Sequence, residues 1–172
     1  MTRVKRINEF VNENANNAPD EQLFLDTLGF KDFEEIQRRC MTKWYSRSTY
    51  GGGERKYIPN IIPMKIIASA VGRYMKNNPS ANIKCKLITE FGVPRLCFYV
   101  ENNNSKVEVS FKDGEITHFG EDMRKPNVSV YHSGKFSVIE GDDRRKFGDT
   151  DWHENEMGKI SDRLLQVLDK AL

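Results

Sequence analysis

Hydrophobic positions divide the chain in two: up to residue 77 they recur at helical spacing, and from residue 82 they alternate. Val4, Ile7, Phe10 and Val11 predict an amphipathic helix over residues 3–14, ending in the Asn-rich run Asn12–Asn17. Pro19 opens a short helical turn over Asp20–Leu28, with Leu23, Phe24 and Leu28 inward and Gly29 as a left-handed stop. Asp32 and Glu35 form a capping-box-like pair before a third helix, whose apolar stripe reads Phe33, Ile36, Cys40 and Trp44. Arg38, Arg39 and Lys43 fall off that stripe and are expected in solvent.

Residues 46–60, SRSTYGGGERKYIPN, have no period and contain three consecutive glycines, so they read as a flexible loop. Pro63 suits the first turn of the next helix. There Ile66, Ile67, Ala70, Val71, Tyr74 and Met75 share one face, and Lys65, Ser69, Arg73 and Lys76 line the opposite one until Asn77-Asn78-Pro79 ends it.

Beyond it, Ile83, Cys85 and Leu87 alternate with Lys84 and Lys86, and Leu96–Val100 follows a Gly92-Val93-Pro94 turn. Val107, Val109 and Phe111 face one way, and Asp113-Gly114 signals a hairpin into Ile116–Phe119. Val128–Tyr131 and Phe136–Ile139 flank a Ser133-Gly134 turn, and residues 141–151 form a charged linker. A closing helix carries Ile160, Leu164, Val167, Leu168 and Ala171 on one face. The expected fold is a single α+β domain over 1–172. It comprises helices over 1–77 interrupted by a basic loop at 46–60, an antiparallel β-meander of five or six strands over 82–140, and a C-terminal helix over 151–172 packed on the sheet.

Composition narrows this picture. A chain of 172 residues can bury roughly two-thirds of its unfolded surface in one core. Ten Phe, six Tyr and two Trp argue against disorder. The start, MTRVKRINEF, has no apolar core of a signal peptide, and Pro63 and Lys65 interrupt the most apolar stretch, Ile61–Val71, so no membrane span is expected. Cys40, Cys85 and Cys97 are odd in number and far apart in sequence, which reads as reduced core thiols in a cytoplasmic setting.

Charge changes the picture most. Between Ile36 and Thr89 there are eleven basic residues and one acidic residue, Glu54, whereas the whole chain carries only +2. Such a stretch can neutralise phosphates and release their condensed counterions. Interleaved tyrosines suit base stacking on single strands. The leading expectation is therefore a non-enzymatic nucleic-acid-binding protein, DNA or RNA, using a basic helix-loop-helix-strand surface over residues 36–89. Arg38, Arg39, Lys43, Arg47, Arg55, Lys56, Lys65, Arg73 and Lys76 are its expected phosphate contacts, and Tyr50 and Tyr57 its stacking rings. The competing structural reading is that these cations are ordinary solvated faces, neutralised by acidic flanks folding back.

A second functional reading is a protein-interaction module or adaptor whose basic surface meets an acidic protein partner. The third is a metal-dependent nuclease using Asp142, Asp143, Asp149, Asp151, His153, Glu154 and Glu156. An EF-hand is excluded there, because the turn glycine is Glu154 and the bidentate glutamate position is Ile160. Gly51-Gly52-Gly53 matches no phosphate-loop motif, since the lysine and Ser/Thr context and the preceding strand are missing. His118, His132 and His153 have no spaced partner, and His132 reads as a hydrogen-bonded, half-buried residue. Trp44 and Trp152 read as core anchors. No cofactor and no resident metal are expected, and the small size and lack of catalytic motifs suit an accessory protein.

Overall fold

The computed structural model describes residues 17–46, 51–90, 92–111, 127–140 and 150–172. The expected first helix at 3–14, the Asp113-Gly114 hairpin with Ile116–Phe119, and residues 141–149 of the expected linker at 141–151 lie outside the described residues, while residues 150–151 of that linker already belong to the last helix. The rest is an α+β fold: α1 (Pro19–Leu28), α2 (Phe33–Cys40), β1 (Thr42–Ser46), β2 (Gly53–Tyr57), α3 (Ile61–Asn77), β3 (Asn82–Glu90), β4 (Val93–Asn102), β5 (Ser105–Ser110), β6 (Asn127–His132), β7 (Lys135–Glu140) and α4 (Thr150–Ala171).

Local chemistry sets the helix ends. Gly29 closes α1 at φ 81°, and the Gly29 and Phe30 amides donate to the Asp26 and Leu25 carbonyls, satisfying two otherwise orphaned acceptors. The Asp32 carboxylate accepts from the Glu35 amide at 2.7 Å, while Glu35 reaches back to the Lys31 amide at 2.7 Å. The helix these residues cap, α2, stops at Cys40, because Met41 is extended at φ −64°, ψ 132°. Trp44 is thus a strand residue, correcting the expected helical stripe. The expected loop at 46–60 is corrected as well. Residues 42–46 and 53–57 pair antiparallel as a two-stranded hairpin, with Lys43 opposite Lys56 and Tyr45 opposite Glu54.

The five-stranded sheet runs β3-β4-β5-β6-β7, antiparallel throughout. Val93 and Pro94, expected in a turn, pair with Glu90 and Thr89 inside the β3–β4 ladder. Asn103 and Asn104 at φ 49° and 69° turn β4 into β5, and Ser133 and Gly134 at φ 51° and 76° turn β6 into β7. Two successive positive φ values match the twist of tight hairpins.

The inner face of the sheet presents Ile83, Leu96, Phe98, Val100, Val107, Val109, Val128, Val130 and Ile139 to the helices. Ile66, Ile67, Ala70, Val71 and Tyr74 of α3 share this core with Phe24 and Leu25 of α1 and Ile160, Leu164 and Leu168 of α4. Phe24 tilts against Phe98 with ring centroids 5.3 Å apart. Gly72 lets α1 and α3 approach closely, since a Cβ there would collide with the Asp20 carbonyl. The buried Asn102 amide donates to the Tyr74 hydroxyl at 2.8 Å and ties α3 to the end of β4.

Candidate functional site

Strand alternation sorts the hairpin into two faces. Thr42, Trp44 and Ser46 of β1 share one face with Tyr57 and Arg55 of β2, and Ser46 and Tyr57 are buried. The Tyr57 hydroxyl accepts from the Leu96 amide at 3.1 Å, which anchors the hairpin to β4. Gln37 of α2 donates to the Pro59 carbonyl at 2.7 Å, fastening the exit from β2 to the helix that precedes β1. The other face carries Lys43, Tyr45, Glu54 and Lys56, all exposed.

Tyr45 is 71% exposed, the most of any large hydrophobic among the described residues. Lys43 and Lys56 stand directly opposite one another. Opposed like charges destabilise a sheet. Glu54 offsets this partly, with its carboxylate 3.2 Å from the Lys43 ammonium, but a pair this exposed holds weakly and is screened by salt. Lys56 makes no hydrogen bond or ion pair to a described residue. An anion on this face relieves the Lys43–Lys56 repulsion.

Arg38 and Arg39 end α2 one turn before the hairpin, both exposed. Arg39 pairs with Glu35 at 2.8 Å and lies 5.5 Å from the Phe30 ring centroid. Arg38 has no ion pair or hydrogen bond among the described residues. Arg55 is exposed, its guanidinium 3.4 Å from the Gly51 carbonyl. Arg47 and Tyr50 lie outside the described residues.

Other expected site residues point elsewhere. Tyr57, expected as a stacking ring, is only 7% exposed. A buried ring with an engaged hydroxyl offers no face to a base, whereas the Tyr45 ring stands in solvent. Lys65 is half-buried between α1 and α2, 5.9 Å from the Phe33 ring centroid and close enough to Glu21 to oppose the upward pKa shift that burial imposes there. Arg73 is committed to α4, donating to Asp162 at 2.7 Å and to Ser161 at 2.9 Å. Of the expected α3 stripe, only Lys76 is exposed, and Lys65, Ser69 and Arg73 are half-buried. The basic stretch is therefore not one continuous face.

On the outer sheet face, Lys84 and Lys86 stand on the edge strand β3, with the exposed Lys84 3.8 Å from Glu101. Nearby, Cys97 is buried, and its thiol is pushed up to about 12 by that burial and by its hydrogen bond to Glu108. Burial of this kind favours the protonated thiol. His132 is half-buried, with Nδ1 3.1 Å from the Lys106 carbonyl and Nε2 3.1 Å from the Ser133 hydroxyl.

Cys40, at the end of α2, and Cys85, on β3, are free thiols half-buried against the core. Of the acidic cluster, residues 142–149 and the side chains at 151–156 lie outside the described residues. Among the described residues no group of three or more His, Cys, Asp or Glu is placed to hold a metal ion. Nor is any helix among them long and apolar enough to cross a membrane. No protein-family model, curated protein or solved structure matches the chain.

Proposed function

We propose that the protein binds nucleic acid, without catalysis, through the unit formed by α2 and the β1–β2 hairpin. The carrying observation is the outer hairpin face, where a strongly exposed Tyr45 lies beside the opposed Lys43 and Lys56. Paired cations on one face can contact a phosphate backbone, and an exposed ring accepts any base because every base has a π-face. Arg38, Arg39 and Arg55 extend the positive field. This chemistry favours single strands, whose bases are free to stack. An intracellular, cytoplasmic setting accords with such a ligand and with three free thiols.

Fluorescence anisotropy with short labelled single- and double-stranded DNA and RNA, from ~50 to ~200 mM salt, tests this reading. The expected result is single-strand binding that weakens steeply with salt. No binding at the lowest salt overturns the proposal and directs attention to an acidic protein partner. With Mg²⁺ present the strands are expected to remain intact. Cleavage that disappears in Asp149→Ala or Asp151→Ala would instead assign a metal-dependent nuclease.

A further inference from the structure

We propose that β7 is a docking edge for a second copy of this chain, the two β7 strands pairing antiparallel about a twofold axis and joining both sheets into one. β7 ends the sheet order, and no described strand lies on its far side. The Ser133-Gly134 turn, with both φ values positive, makes His132↔Lys135 the hydrogen-bonded pair that closes the β6–β7 hairpin. Alternation along the ladder then aims the amides and carbonyls of Lys135, Ser137 and Ile139 at β6, and those of Phe136, Val138 and Glu140 away from it. The Glu140 carbonyl fits this direction, since it accepts from Arg163 of α4 at 2.9 Å. The outward groups of Phe136 and Val138 make no hydrogen bond to a described residue. A strand edge left in this way is a template for another strand.

Self-complementarity selects a second copy as the occupant. Tyr131, Phe136 and Val138 lie on the outer sheet face, all exposed, Phe136 by 60%. With Ser137 on the axis, Phe136 of each copy stands opposite Val138 of the other, an aromatic and β-branched pair. Tyr131, opposite Phe136 in the β6–β7 ladder, lengthens this apolar strip on both sides. The same register pairs every outward amide and carbonyl of Phe136 and Val138 across the axis and leaves the Glu140 carbonyl to Arg163. Moving the axis to Val138 would set Phe136 against Glu140, whose carbonyl is already engaged. Charge fits as well, because antiparallel pairing brings the Lys135 end of one strand to the Glu140 end of the other. Between those ends the strand reads FSVI, with no charge to guard it. The opposite edge, β3, carries the exposed Lys84 and Lys86, like charges that keep an edge from pairing with its own copy. The pairing stands whatever the β1–β2 hairpin binds.

Sedimentation equilibrium on the full chain, from micromolar to millimolar concentration, is the test. A small edge-to-edge interface predicts a mass that rises with concentration toward twice that of one chain. Phe136→Lys sets an ammonium into the apolar strip, and Val138→Pro removes an outward amide without touching the β6 ladder. Each should hold the mass at that of one chain, with the circular dichroism spectrum unchanged. The register is read separately. Opposed residues of a non-hydrogen-bonded pair lie about 4.5 Å apart at Cα, so oxidised Ser137→Cys should join two copies by a disulfide that peptide mapping places at position 137 in both. A one-chain mass for the unaltered protein across the whole range overturns the proposal, and so does a two-chain mass that survives both Phe136→Lys and Val138→Pro. The first of these is read on the unaltered chain, so it stands even where a variant folds poorly.

Discussion

Tyr45 and Tyr57 are the same side chain put to opposite uses by strand alternation: one ring faces solvent, the other is buried with its hydroxyl on the Leu96 amide. Tyr57→Phe keeps the ring but leaves that buried amide unsatisfied, so stability measured by urea unfolding should fall by about 1–3 kcal/mol. Tyr45→Ala should leave stability within about 0.5 kcal/mol, as exposed substitutions do. In anisotropy titrations the same change should weaken single-strand binding by about 1–3 kcal/mol, the worth of one stacked base. The sequence pointed at Tyr50 and Tyr57 as stacking rings, and of these Tyr57 is buried. Choosing between Tyr45 and Tyr57 requires the register Thr42↔Tyr57, and five-residue strands beside three glycines carry too short an alternation to supply it. The half-buried, hydrogen-bonded state of His132 was legible, because it falls in phase with Val128 and Val130.

At the scale of elements, α1, α2 and α3 were legible because each carries a local signal: the Gly29 stop for α1, the Asp32 cap for α2, and a stripe of period 3.6 behind Pro63 for α3. Asp32 illustrates this, and Asp32→Ala should lower stability by about 1 kcal/mol, read from the urea midpoint with unchanged m-value. The β1–β2 hairpin was not legible. Trp44 falls four residues after Cys40 and so continues the α2 stripe on paper, yet Met41 is extended and the chain enters a strand. What holds that strand is its pairing with residues 53–57 and the Tyr57 anchor to β4, contacts that no window of a few residues contains. The meander was legible in outline, its turns less so. Gly92-Val93-Pro94 read as a turn, although the ladder continues to Glu90↔Val93.

At the scale of the whole molecule, one run of basic sequence is distributed to several places. Lys43 and Lys56 meet on the hairpin, Arg73 bridges α3 to Asp162 and Ser161, and Lys84 and Lys86 occupy the outer sheet face. The α3 stripe reads as solvent-facing in sequence because its partners, α1 and α4, lie on either side of it in the chain and close over it only on folding. Arg73→Ala should therefore lower stability by roughly 1 kcal/mol, the exposure of Asp162 keeping the effect small, and leave nucleic-acid affinity unchanged. The central claim, that the hairpin carries the phosphate contacts, is tested most directly by the slope of log affinity against log salt for single-stranded ligand. It is measured in the unaltered protein, in Lys43→Ala/Lys56→Ala and in Lys84→Ala/Lys86→Ala. The hairpin pair of changes should make the slope shallower by about 1.4, some ~0.7 for each single-strand phosphate that is no longer neutralised, and the β3 pair should leave it unchanged. An unaltered slope in the hairpin variant, or a greater change in the β3 variant, would contradict the claim.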